Sequence, residues 1–418
     1  MELRVLKNGL RVAFVPCEAE SVAFGLFVAS GSRHETAREA GISHFIEHML
    51  FKGTPRRTPL AITRAIEGRG GNFNAWTSEE STAFFAHLPD EYLEEAIDII
   101  ADMYLNALIP EGEFEREKEV VIEEIRMYSD EPDSVAAENL QRSLFPSNSL
   151  GRPVAGSPES LGPMRPEDLR RHIRRHYRPD NTVAVVAGHF DTDRAFAILE
   201  RVFAAQGARK RPVKAEFAPV DLAGSVVSEI RVAKDVQQAQ LALGYRTFGI
   251  GDERKYAATV LDAILGRGMS SRLFQEVREK RGLSYDISSR MQFFQDCGMW
   301  AVAAGVDPAK ADRMLATIDR ELERIRTKRV GAAELARTKE FLVGNFRLSH
   351  EKVTSKMFYC GSSLLAFGRL MPIEEQVEGI RRVSAADVQA VAQAIFAPEN
   401  RAVSWVLPLA ACDRRKGK

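Results

Sequence analysis

Two stretches of the chain, far apart in sequence, carry the same amphipathic pattern. Phe114–Glu124 (FEREKEVVIEE) aligns with Leu335–Asn345 (LARTKEFLVGN), placing Arg116 on Arg337, Lys118 on Lys339 and Glu119 on Glu340. The β-branched, apolar stretch Ser21–Ser30 similarly finds a partner in Gln237–Tyr245, and each leads into a polar loop and then an amphipathic helix. A repeat of this kind restricts the chain to two copies of one supersecondary arrangement. The 418 residues suit that, because roughly 100–200 residues make a domain with its own core. Gln206–Ala218 (QGARKRPVKAEFA) is basic and poor in apolar residues, so it reads as a solvated linker. The expected division is therefore a first domain at 1–207, a linker at 208–224 and a second domain at 225–418.

Local signals fill in the first copy. Lys7-Asn8-Gly9 turns a hairpin within Leu3–Val15, since Asn-Gly favours the positive φ that joins paired strands. A helix is expected over Ala40–Phe51. Another starts at Thr58-Pro59, an N-cap followed by Pro at the first helical position, and stops at Gly68. Asn74–Leu88 alternates as a strand. Pro89–Phe145 is helical with breaks near Ile109-Pro110 and Glu131-Pro132, and Asn181–Gly188 returns to strand. Strands in separated groups with helical runs between them argue an α+β fold, two similar domains each with a mostly antiparallel sheet packed by helices.

Composition narrows the function classes. With 58 Lys+Arg against 58 Asp+Glu, no global field draws nucleic acid or an anionic membrane. No apolar run approaches the roughly 18 residues of a membrane span. The four scattered cysteines suit a reducing compartment. With no leader signal in Met1–Lys7, the expected location is the cytoplasm.

The chemistry concentrates in His44-Phe45-Ile46-Glu47-His48, an H-x-x-E-H sequence and the inverted zinc-peptidase signature. On a helix, positions i+3 and i+4 both lie within about 60° of position i. Two imidazoles can therefore grip one ion with a carboxylate beside them. A catalytic zinc needs a third protein ligand and an open position. The most acidic helical stretch, Glu113–Met127, offers Glu117 and Glu124 two turns apart on one face. A second histidine pair, His172 and His176, lacks the intervening Glu and sits among four arginines, which reads as a solvated basic face.

Gly41–Thr54 (GISHFIEHMLFKGT) is similar nearly throughout to the catalytic helix of the inverted-motif zinc metallopeptidases, the family of pitrilysin, insulin-degrading enzyme and mitochondrial processing peptidase. The spacing of Glu117 and Glu124 fits that family too, and the likeness runs along essentially the whole chain. The resemblance implies a Zn²⁺ cofactor with His44, His48 and Glu124 as ligands, Glu47 as general base, and Glu117 as a carboxylate that orients a ligand. Gly70–Ser78 (GGNFNAWTS) resembles the segment that, in the family, accepts a peptide as an added edge strand, which implies Asn74, Ala75, Trp76 and Thr77 as substrate-binding residues. Phe84-Phe85 departs from the family, where a hydroxyl-bearing aromatic is usual. Arg278–Tyr285 (REKRGLSY) resembles the family's Arg/Tyr pair, implying that Arg278 and Tyr285 contact substrate and polarise the scissile carbonyl.

Val260–Ile264 stands where the second copy would carry H-x-x-E-H, and Asn345 stands for Glu124, so that copy is degenerate. The implied activity is that of a zinc endopeptidase or oligopeptidase acting on extended peptides or unfolded protein. The chain has the length of one half of the larger members' clamshell, which implies a homodimer, or a heterodimer with a related subunit. The alternative of another class is a non-catalytic scaffold or partner subunit of the same fold.

Overall fold

The computed structural model describes residues 1–207 and 217–409. Its strands are β1 (Glu2–Val5), β2 (Arg11–Pro16), β3 (Ser21–Val28), β4 (Asn72–Thr77), β5 (Thr82–Pro89), β6 (Thr182–Gly188), β7 (Glu229–Lys234), β8 (Ala239–Phe248), β9 (Ser284–Phe293), β10 (Cys297–Val306) and β11 (Arg401–Pro408). The longer helices are α1 (Ile42–Leu50), α2 (Pro59–Glu67), α3 (Leu93–Asn106), α4 (Glu111–Asp130), α5 (Pro132–Leu144), α6 (Pro166–His176), α7 (Lys255–Gly266), α8 (Ala311–Thr327), α9 (Ala332–Ser349) and α10 (Val353–Phe367). No helix among the described residues is long and apolar enough to cross a membrane.

The repeat is written into the sheet topology. One sheet has the order β1-β2-β6-β3-β5-β4 and the other β7-β11-β8-β10-β9. Setting aside β1, the two orders correspond strand for strand. Each has one parallel pair, β2–β6 and β7–β11, and is otherwise antiparallel. The aligned segments 114–124 and 335–345 fall in α4 and α9, at equivalent points of the two copies.

The compact units are not contiguous in sequence, unlike the division expected at 208–224. One comprises Met1–Ile125, Pro153–Phe217 and Arg347–Met371; the other Arg126–Arg152, Ala218–Phe346 and Pro372–Lys418. Each sheet is completed by one helix from the other half of the sequence. Met357, Cys360 and Leu364 of α10 cover Ala23, Phe27, Val183 and Val185 of the first sheet. Ala136, Leu140 and Leu144 of α5 cover Ala242, Met299, Ala402 and Val406 of the second. Helical periodicity marks a face for burial but does not say against which sheet. Residues 208–216 of the expected linker lie outside the described residues. Arg246, buried in the second unit, donates to the carbonyls of Asp221 (3.0 Å) and Gly224, fixing the segment that follows.

Local expectations mostly reappear. Gly9 takes φ +93° in the hairpin between β1 and β2. The Thr58 hydroxyl accepts from the Ala61 N–H at 3.2 Å as the N-cap of α2, and α3, α4 and α5 part at the two expected breaks. Asn74–Leu88 is not one strand. It folds back as β4 and β5 across Ser78–Ser81, where the Ser78 N–H donates to the Ser81 carbonyl (2.8 Å) and the Ser78 hydroxyl supplies the local bonds that Gly or Pro would have announced.

Candidate active site

Six apolar or small side chains bury α1: Ile42, Ser43, Phe45, Ile46, Met49 and Leu50. His44, Glu47 and His48 are left on its remaining face. The helix start is fixed twice over. Gly41 sits at φ +92°, and a Cβ there would lie 2.5 Å from the Ala155 carbonyl oxygen, so only glycine fits. The buried Glu35 carboxylate accepts from the N–H groups of Gly41 and Ser43, both at 2.8 Å, at the positive end of the helix. Helix α4 comes alongside through its buried Phe114, whose ring centroid lies 4.8 Å from that of Phe45.

This packing converges the predicted donors. The Nε2 atoms of His44 and His48 lie 3.7 and 3.4 Å from Oε2 of Glu124. One ligand atom from each of the three residues falls within 4.8 Å of the other two. Ligands about 2.1 Å from a tetrahedral ion stand about 3.4 Å from one another, so the donor set fits a zinc-sized ion with little rearrangement. It is the one such group among the described residues.

Electrostatics prepare the donors. Burial, with His48 adding to it, pushes His44 down to about 4, leaving a neutral imidazole at neutral pH. His48 donates from Nδ1 to Glu117 Oε1 at 2.9 Å, which leaves Nε2 facing Glu124. Burial works against the charge on His48, but the Glu117 bond and the carboxylates of Glu124 and Glu47 raise its pKa overall. Burial likewise opposes the charge on Glu117, yet its bonds to His48 and Lys52 hold it below the usual carboxylate range. Burial raises Glu47. The Thr77 hydroxyl donates to Glu47 Oε2 at 2.6 Å.

The remaining predicted residues fall in two places. Asn74, Ala75, Trp76 and Thr77 lie on β4, the terminal strand of its sheet, paired on one side only. Asn74 is exposed and its Oδ1 accepts from the Ala75 N–H at 2.8 Å. Trp76 packs on the α10 side of the sheet, opposite α1. Arg278 and Tyr285 belong to the second unit, in an open cleft of about 390 Å³ with Gln238, Ser284 and Asp307. The Arg278 guanidinium lies 4.7 Å from the Phe274 ring centroid and 4.8 Å from that of Tyr285, which is 82% exposed.

In the second copy, α7 is buried along most of its length, and the carboxylate of Asp262 accepts from Trp300 Nε1 (3.0 Å) and Ser289 Oγ (2.6 Å) as a structural hub. Three participants escaped the sequence reading. Lys52 follows His48 by one helical turn, a legible signal. Glu35 and the bond from Thr77 to Glu47 bridge separate elements and have none. The reading of His172 and His176 as solvated is corrected: the flanking arginines reach solvent, while both imidazoles are buried, at 4% and 6% exposure.

Comparison with known proteins gives concordant results. The profile of the family described as "Insulinase (Peptidase family M16)" matches residues 11–158, and that described as "Peptidase M16 inactive domain" matches residues 163–342. The "Uncharacterized zinc protease YmxG" of Bacillus subtilis is 34% identical over 406 residues, covering 96% of this chain and 97% of its own. The crystal structure of a protease from Helicobacter pylori superposes with a TM-score of 0.92 at 23% identity, covering 97% of this chain and 99% of the other. A chain of Complex III2 from Candida albicans shares the fold, with a TM-score of 0.84 at 22% identity over 97% and 95% of the two chains.

Proposed function

The chain belongs to peptidase family M16, and from that premise we propose that it is a zinc-dependent endopeptidase or oligopeptidase. The observation that carries this reading is the convergence of His44, His48 and Glu124 from two helices, with Glu47 beside them. These three residues would hold the ion, which when bound supplies a Lewis acid for the scissile carbonyl and a lowered pKa for the attacking water. Glu47 takes the proton from that water and passes it to the leaving amine. Burial around Glu47 raises its pKa and so strengthens it as the base of the first transfer. Glu117, itself neutralised by Lys52, holds the His48 ring in the orientation that presents Nε2.

The peptide lies along the free edge of β4 as an added strand, its main chain bonded at Asn74–Thr77 independently of sequence. Arg278 and Tyr285 act as donors to the scissile carbonyl, supplied to each zinc site by the second subunit of a homodimer or of a heterodimer with a related chain. A fully active monomer in solution would remove that last element alone.

The test is Glu47→Gln assayed on an unstructured peptide. The variant keeps its zinc and loses cleavage. Cleavage at the wild-type rate would refute the assignment of the base. The rival, a non-catalytic subunit of this fold, has no need for four converged side chains; it predicts no turnover even with zinc bound.

A further inference from the structure

The family resemblance implies Thr77 as one of the residues that bind substrate, but its side chain is already engaged. Its hydroxyl lies 2.6 Å from Glu47 Oε2, and an ionised carboxylate can only accept, so Thr77 donates. Side chains alternate along β4: Ala75 and Thr77 face α1, whereas Trp76 packs on the opposite side. A peptide added at the strand's edge bonds to main-chain groups in the plane of the sheet and does not need this hydroxyl. The donor itself is firmly held. Thr77 pairs with Thr82 across the β4–β5 ladder, and the buried Thr82 hydroxyl donates to the Ser30 carbonyl at 2.8 Å.

We propose that Thr77 is the positioning residue of Glu47, engaging Oε2 so that Oε1 alone is presented for proton transfer. This rests on the reading of Glu47 as base. The strand that receives the peptide is thereby the strand that aims the base. Position and aim are set by one rigid element, which matters because a misplacement of about 1 Å in a catalytic group can cost about 100-fold in rate.

The test compares Thr77→Val, which is nearly isosteric, with Thr77→Ser, which restores the donor, and with Glu47→Gln alone and combined with Thr77→Val. On an unstructured peptide, Thr77→Val is expected to lower kcat about 10- to 100-fold with KM and the zinc dissociation constant each within about twofold. Thr77→Ser recovers most of kcat, and the double variant loses no more than Glu47→Gln. In a crystal structure of metal-free Thr77→Val, the Glu47 carboxylate is expected to leave its present orientation. A raised KM with unchanged kcat would make Thr77 a peptide contact and overturn the proposal. An unmoved Glu47 carboxylate in the crystal would overturn it without reference to activity. Wild-type cleavage by Glu47→Gln overturns the underlying base assignment instead, and so is told apart from failure of the inference.

Discussion

Acidification should destabilise the first unit through three histidines that take no part in the chemistry. His172 and His176 stack with ring centroids 4.3 Å apart, and His34 lies 6.4 Å from His176. Their surroundings oppose protonation: burial foremost, then one another and the flanking Arg33, Arg171, Arg175 and Arg178, with the Gly31 backbone bond to His34 and Glu39 beside His176 pulling the other way. His34 and His176 are pushed down to about 4, and His172 well below its ordinary value. In the unfolded chain each returns to about 6.5. Below that pH the unfolded state binds more protons, so stability is complete above about pH 6.5 and falls as the pH drops towards 4. A group shifted this far removes about 2 kcal/mol at pH 5 relative to pH 7. His34 and His176 alone thus remove about 4 kcal/mol, a large part of a typical stability of about 5–15 kcal/mol. In the metal-free protein His44, also pushed down to about 4, and His87, also lowered by burial, add to the loss, while His48, with a raised pKa, works in the opposite direction. The assay is urea-dependent hydrogen exchange of α6 peptides in metal-free protein between pH 7.5 and pH 5. The unfolding midpoint should fall steadily, and His176→Asn should make that fall shallower. A midpoint independent of pH over this range would refute the reasoning.

Further outcomes follow from the same geometry. The protein should carry about one zinc per chain by elemental analysis, and Glu124→Gln should lose it while keeping its circular dichroism spectrum, because the Glu124 side chain is partly exposed on α4 and outside its buried face. Lys52→Met and Glu117→Gln should weaken zinc binding, Glu117→Gln by about 10- to 100-fold and Lys52→Met by less, as read by competition with a chromogenic chelator. Glu35→Ala removes two charge-assisted bonds from the first turn of α1, worth about 1.5 kcal/mol or more each, and should lower the thermal midpoint by several degrees in calorimetry.

What could be read from the sequence divides along a physical line. Features decided within a few residues were legible: the turn at Asn8-Gly9, the cap at Thr58, the helix breaks before Pro110 and Pro132, and the grouping of His44, Glu47 and His48 on one helical face. The repeat was legible because equivalent positions in α4 and α9 still share charges. Features decided by packing between distant segments were not. Nothing in 132–144 or 353–367 states which sheet each helix will cover, and the turn at Ser78–Ser81 uses side-chain hydroxyls in place of the usual turn residues. The histidines of α6 lie in an arginine-rich sequence yet face inwards, since helical periodicity separates them from their neighbours. The site itself needed both kinds of information. One helix supplies a recognisable motif, but the partner of its two imidazoles arrives from α4, a distant segment held there by the packing of Phe45 on Phe114 and by the bonds of His48 and Lys52 to Glu117.

Anomalous diffraction at the zinc absorption edge, from crystals of the zinc-loaded chain, bears most directly on all of this. A single peak enclosed by the Nε2 atoms of His44 and His48 and the carboxylate of Glu124, with Glu47 alongside and not a ligand, is the predicted result. An ion held by other residues, or a Glu124 side chain turned away from the two imidazoles, would contradict the account.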